Sequence, residues 1–194
     1  MYGKNWQTLL TVWLTMALAA AVATSFPELW SLDIVRVQQG EWWRLASCHL
    51  VHLTWQHFRS DLLALGVCLF LCSRLEERSR VLAMTALLSA CSVSLVLMAV
   101  QPVEIYGGLS GITAGLLSFA VMKLLANGAR MSGFVLLACM LLKIFMEWQG
   151  VSASGVAPVW QAHCAGAAAG ILVSSFHIKY DCRTIFGQDA GRIS

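Results

Sequence analysis

Nine side chains able to carry charge or attack a carbonyl stand in or beside stretches that are otherwise apolar: His49, His52, His57, Arg59, Asp61, Ser110, Lys143, Glu147 and His163. Such groups are costly inside a bilayer and head the list of functional candidates. Two of them make the sharpest pairing. Ser110 follows Gly107-Gly108-Leu109 and opens a Gly111-x-x-x-Gly115 stretch, while His163 follows Ala162 and precedes Gly166-x-x-x-Gly170. Small residues four apart let membrane helices approach closely, so packing of these two faces would bring hydroxyl and imidazole within reach. That pair is the minimum for nucleophilic catalysis: the imidazole removes the proton as the oxygen attacks, then returns it to the leaving amine. The glycines before Ser110, Gly108 among them, permit an exposed backbone N–H at a helix start, suited to a developing oxyanion. A serine at a helix start is also a common N-cap, and GxxxG a common packing motif. Spacing alone leaves both readings open.

The other candidates carry less. His49, His52 and His57 cluster, yet a helical zinc protease needs HExxH, and His49-Leu50-Val51-His52 lacks the Glu. His52 and His57 are five apart, which does not put both on one helical face. No metal and no cofactor are expected. Lys143 and Glu147 are four apart and can pair on one face, most simply as an ion pair that lowers the cost of insertion. The seven cysteines lie mostly within apolar stretches and read as small hydrophobes.

What must position these groups follows from composition. Of 194 residues 58% are hydrophobic and 12% charged, against about 25% charged in a soluble domain. The mean hydropathy is +0.70, and a net charge of +3 is too small for a nucleic-acid binder. The composition predicts an all-α, polytopic membrane protein. Six apolar stretches, 8–26, 57–73, 81–100, 109–126, 131–148 and 160–178, are near the length needed to cross about 30 Å of hydrocarbon. They leave no room for a soluble domain, so residues 1–194 form one membrane unit in the lipid bilayer. The connection 27–56, with Trp30, Trp42 and Trp43 beside Arg36 and Arg44, is expected to lie along the outer interface.

Lys4, Arg74, Arg78, Arg80, Lys123, Arg130, Lys179, Arg183 and Arg192 fall on one side, with only Arg36 and Arg44 opposite. This bias places both termini in the cytoplasm. The first stretch also has signal-peptide features, Lys4 and Ala21-Val22-Ala23, but its length and Trp6 and Trp13 favour a retained helix. Depth then follows from helix rise. Ser110 is 13 residues before Lys123 and Asp61 is 13 before Arg74, about 20 Å above the cytoplasmic face. His163, 16 residues before Lys179, lies at about 24 Å. Three helices set their polar groups at one level, slightly below the outer surface.

In these residues the chain resembles the rhomboid family of intramembrane serine proteases over about three quarters of its length. Gly108-Leu109-Ser110-Gly111 is similar to the family's GxSG nucleophile motif, and His163 with Gly166 and Gly170 to its last-helix histidine. Trp43-Arg44 resembles the WR motif of the first loop, and His52, His57 and Asp61 the H…HxxxN pattern of the second helix. Within the family the chain is most similar to the rhombosortase branch, through Tyr106-x-Gly108-Leu109-Ser110-Gly111, the Lys143…Glu147 pair and Ala162-His163-x-x-Gly166.

The resemblance implies a six-helix bundle in a bacterial inner membrane, with Ser110 and His163 catalytic and the site open to the periplasm. It implies oxyanion support from His57 and the position of Asp61, and substrates anchored by a C-terminal helix with a Gly-Gly-containing motif. Water would reach Ser110 from outside, with 27–56 or the fifth helix as the gate. Two departures stand out. Asp61 replaces the family's asparagine, so it is either protonated and donates a hydrogen bond, or it orients His57. Ala114 stands where many members have a tyrosine stacked on the catalytic histidine, so something else must position His163. The readings that compete with a protease are an inactive relative that binds transmembrane clients and a small transporter. A transporter would spread polar groups over several depths.

Overall fold

Long runs of Leu, Ala, Val and Met with few interruptions favour helix, since a helix satisfies its own backbone and can lie in lipid. The chain, described here from a computed structural model over residues 3–75, 77–100, 105–152 and 155–190, is accordingly mostly helical. Its long helices among the described residues are α1 (Gly3–Thr24), α5 (Trp55–Arg74), α6 (Ser79–Ala99), α7 (Ser110–Ala126), α8 (Arg130–Trp148) and α9 (Trp160–Ala190). Trp6–Thr24, Ser79–Ala99 and Arg130–Trp148 are long and apolar enough to cross a membrane. Helix α7 is apolar but shorter, at 17 residues; α5 carries Arg59, Asp61 and Arg74; α9 runs well past residue 178. Of the residues used for topology, Lys4, Arg183 and Arg192 lie outside the described side chains, as does Cys182.

The burial pattern is inverted relative to a water-soluble protein. Leu14, Leu18, Leu63, Phe70, Leu87, Leu95, Phe134, Leu142 and Phe176 point outward, while Arg44, His49, His52, Asp61, Glu77, Lys123 and His163 are buried. An apolar exterior of this extent requires lipid. Helix α7 is the axis of the bundle, buried along nearly its whole length, and its main neighbour is α9. The two meet at their glycines: a side chain at Gly166 would run into the Gly111 carbonyl, and one at Gly170 into that of Gly115. Hydroxyls bind across this core. Ser118 donates to the Ala167 carbonyl at 3.0 Å and Ser92 to that of Ala165 at 3.1 Å.

Below this contact, Glu77 accepts from Lys123 at 2.9 Å and from His177 at 3.0 Å. This joins the α5–α6 turn to the inner ends of α7 and α9. Lys123 thus turns inward.

The connection 27–56 is more ordered than a loop. It forms α2 (Pro27–Trp30), β1 (Leu32–Asp33), α3 (Ile34–Gln38) and α4 (Arg44–Ser47). Strand β1 pairs antiparallel with β2 (Ile105–Tyr106), setting Leu32 opposite Tyr106. Arg44 holds these pieces from the centre. Its buried guanidinium donates to the Glu41 carboxylate at 2.6 Å and to the carbonyls of Ser31 at 2.8 Å and Glu28 at 3.0 Å. The fork suits this arrangement because it presents several donors in one plane. Trp42 and Trp43 remain exposed.

Candidate active site

Ser110 is the first residue of α7, and its N-cap is Leu109, which supplies no side-chain acceptor. The serine therefore does not cap this helix. The amides of the first turn lack intrahelical partners, as at any helix start. Gly108 enters this turn at φ 153°, where a side chain would also overlap His57 and Asp61; only glycine fits. The Gly108 N–H, expected to be free for an oxyanion, is instead donated to the Cys48 carbonyl at 2.9 Å. The segment 27–56 folds over the turn and uses that donor.

Tyr106, in sequence only a letter of the motif around Ser110, packs into the site. Its buried hydroxyl donates to the Gly108 carbonyl at 3.2 Å and lies in hydrogen-bonding contact with the Ser110 side chain. Burial pushes the phenol pKa up, so it stays protonated. The sequence signal was its place four residues before the serine.

His163 stands in the first turn of α9, buried, with its two nitrogens in different circumstances. Nδ1 bonds the carboxylate of Glu147 in the last turn of α8. A carboxylate only accepts, so Nδ1 carries the proton. In the neutral ring Nε2 holds the lone pair, and it has no hydrogen-bond partner among the described residues. An ideal side chain at Gly111 would meet the Ala162 carbonyl, so the turns bearing Ser110 and His163 face each other. The Ser110 hydroxyl engages Tyr106 rather than His163.

Glu147 answers the question of what positions the imidazole. Its other oxygen accepts from Lys143, whose side chain is largely exposed. The pair expected only to lower insertion cost is thus also the support of His163.

Asp61, in the second turn of α5, receives two imidazoles on one oxygen: His52 Nε2 at 3.2 Å and His57 Nε2 at 3.3 Å. The five-residue spacing argued against such convergence. It occurs because His52 precedes the helix, whose N-cap is Thr54, so helical-face counting does not apply to it. Thr24 fixes His52 further, accepting from its backbone N–H at 3.1 Å and meeting its Nδ1 at 3.4 Å. An ionised Asp61 in this place would accept from both rings and orient His57. His57 Nδ1 has no partner among the described residues; it would serve an oxyanion as a donor only when it too bears a proton.

His49 lies apart from this group. Ser94 gives its one hydroxyl proton to the Leu45 carbonyl at 2.6 Å, so His49 Nε2 is the donor to Ser94 at 3.0 Å. Burial pushes its pKa down to about 4. Arg59 is exposed on α5.

The starts of α5, α7 and α9 and the end of α8 thus gather a hydroxyl, a phenol, three imidazoles and two carboxylates at one end of an apolar bundle. The fold and this end define a helical membrane protein with a buried polar centre. Residues 39–180 match the family model described as Rhomboid domain, and the chain belongs to the rhomboid family, whose members are usually intramembrane serine proteases. No curated protein matches the chain.

Proposed function

We propose that the protein is an intramembrane serine endopeptidase in which Ser110 is the nucleophile and His163 the general base. The observation that carries this reading is the buried, unpartnered Nε2 of His163 on a helix turn packed against the one that bears Ser110. A lone pair held away from water is costly unless it has a use. The Ser110 hydroxyl is free to turn about its Cα–Cβ bond, and catalytic hydrogen bonds commonly tighten only with substrate bound.

In the reaction Nε2 takes the hydroxyl proton as Oγ adds to the scissile carbonyl. The oxyanion accepts from first-turn amides of α7. The intermediate collapses as the imidazolium protonates the leaving amine, leaving an acyl-serine. Water, deprotonated by the same nitrogen, then hydrolyses the ester and restores both groups.

The six long helices support six spans with both termini on one side; the bias of basic residues supports the cytoplasm as that side, and with it a site opening to the periplasm of a bacterial inner membrane. The resemblance to rhombosortases supports membrane-anchored substrates with a Gly-Gly-containing C-terminal tail. Glycines near the top of a helix unwind at low cost, which exposes a bond to attack. The alternative, an inactive protein that binds transmembrane clients, draws on the engagement of Ser110 by Tyr106 and on Asp61 in place of asparagine. Labelling with a fluorophosphonate probe separates the two. The expected result is an adduct on the wild-type chain that Ser110→Ala abolishes. Absence of the wild-type adduct, or its persistence in Ser110→Ala, overturns the protease reading.

A further inference from the structure

We propose that Glu147 is a positioning residue for His163, making the centre a serine–histidine–glutamate relay rather than a dyad; this rests on the protease reading above. Three observations carry it. The carboxylate bonds Nδ1, the nitrogen opposite the free Nε2, which fixes the tautomer that a general base needs. The two carboxylate oxygens are divided, one to Lys143 and one to His163, so the group is held from both sides. Its location is also unfavourable for α8 itself. Glu147 is the penultimate residue of that helix, where the macrodipole disfavours an anion, and a carboxylate there needs a partner beyond its own helix.

An ion pair that only eased insertion would require Lys143 alone. Lys143 is more than half exposed while the Glu147 side chain is 12% exposed, so the carboxylate is turned inward to the imidazole. As Ser110 loses its proton, His163 becomes an imidazolium whose charge Glu147 faces directly. The carboxylate stays ionised throughout, and no proton passes to it. Ala114 leaves the imidazole without the stacked ring that many relatives use, and Glu147 takes over that duty by hydrogen bonding.

The test measures the inactivation rate and the apparent affinity of the fluorophosphonate probe with the full chain in detergent. Glu147→Gln is expected to lower the maximal inactivation rate by about 10²- to 10⁴-fold with apparent affinity little changed. Glu147→Asp should recover at least about tenfold of that loss, the carboxylate being kept one methylene shorter. Lys143→Met should cost no more than about fivefold, as for an exposed pair. Equal losses in Lys143→Met and Glu147→Gln, or wild-type rates in Glu147→Gln, overturn the inference while leaving Ser110-dependent labelling intact. Should Glu147→Gln fail to fold, the comparison passes to Glu147→Asp, which must be slower than Lys143→Met. If the wild-type chain shows no Ser110-dependent labelling, the protease reading fails and this inference falls with it.

Discussion

The carbonyl of Gly111 occupies the place where a side chain on Gly166 would begin. The crossing of α7 and α9, and with it the spacing between the Ser110 and His163 turns, is therefore set by the absence of one methyl group. Gly166→Ala must push the helices apart or bend them, at about 1–3 kcal/mol for overpacking. It is expected to lower the thermal midpoint in detergent and reduce cleavage of an anchored reporter. Ala168→Val, on the exposed side of α9, should change neither. Wild-type behaviour of Gly166→Ala would show that the contact has slack.

Removing either reacting group should leave the fold and take the activity. Ser110→Ala and His163→Ala are each expected to reduce reporter cleavage by at least about 10³-fold, with expression and thermal midpoint near wild type. Cleavage by Ser110→Ala at an appreciable rate would end the assignment of the nucleophile.

Asp61 meets two ring nitrogens on one oxygen, and with the carboxylate ionised both are donors. The amide oxygen of Asp61→Asn can accept both, so that variant should retain activity within about tenfold of wild type. Asp61→Leu leaves two buried donors unpaired, at about 1–3 kcal/mol each, and is expected to lose most activity and several degrees of thermal midpoint. Three equal activities would remove Asp61 from the site.

His49 supplies a pH dependence of stability. In the unfolded chain its imidazole takes a proton near 6.5, whereas the folded protein keeps it neutral down to about 4. Between those values the unfolded state binds more protons, so stability falls as pH is lowered through that window and recovers as pH rises. The thermal midpoint of the wild type should drop more steeply between pH 7 and 4 than that of His49→Gln, whose amide can still bond Ser94. Parallel curves would show that His49 contributes nothing to acid sensitivity.

Much of the helical frame can be read from apolar runs, because lipid forces both length and composition on a spanning helix. Helix rise alone puts Asp61, Ser110 and His163 at similar distances from the basic ends of their helices. The failures come from groups brought in by other segments. The Gly108 amide looked free because its acceptor, the Cys48 carbonyl, lies 60 residues earlier in the chain. His52 escaped helical-face counting by preceding its helix. The tie from Glu147 to His163 crosses a turn and two helices, and periodicity within one helix cannot show which neighbour a last turn faces. Its depth gave a clue, since Glu147 ends one apolar stretch and His163 begins the next. Tyr106 was visible only as a motif letter, since its reach to Ser110 depends on β-pairing with Leu32.

Helix α8 buries little of itself among the described residues, Gly133 and Met140 being its buried positions. Glu147 sits in its last turn and bonds His163, so the tilt of this rod is transmitted to the His163 ring. Tilt responds to hydrocarbon thickness, which makes the bilayer a reagent in its own right. Reconstitution into lipids of graded acyl length should change turnover through an optimum while the resistance of the bundle to heat varies little.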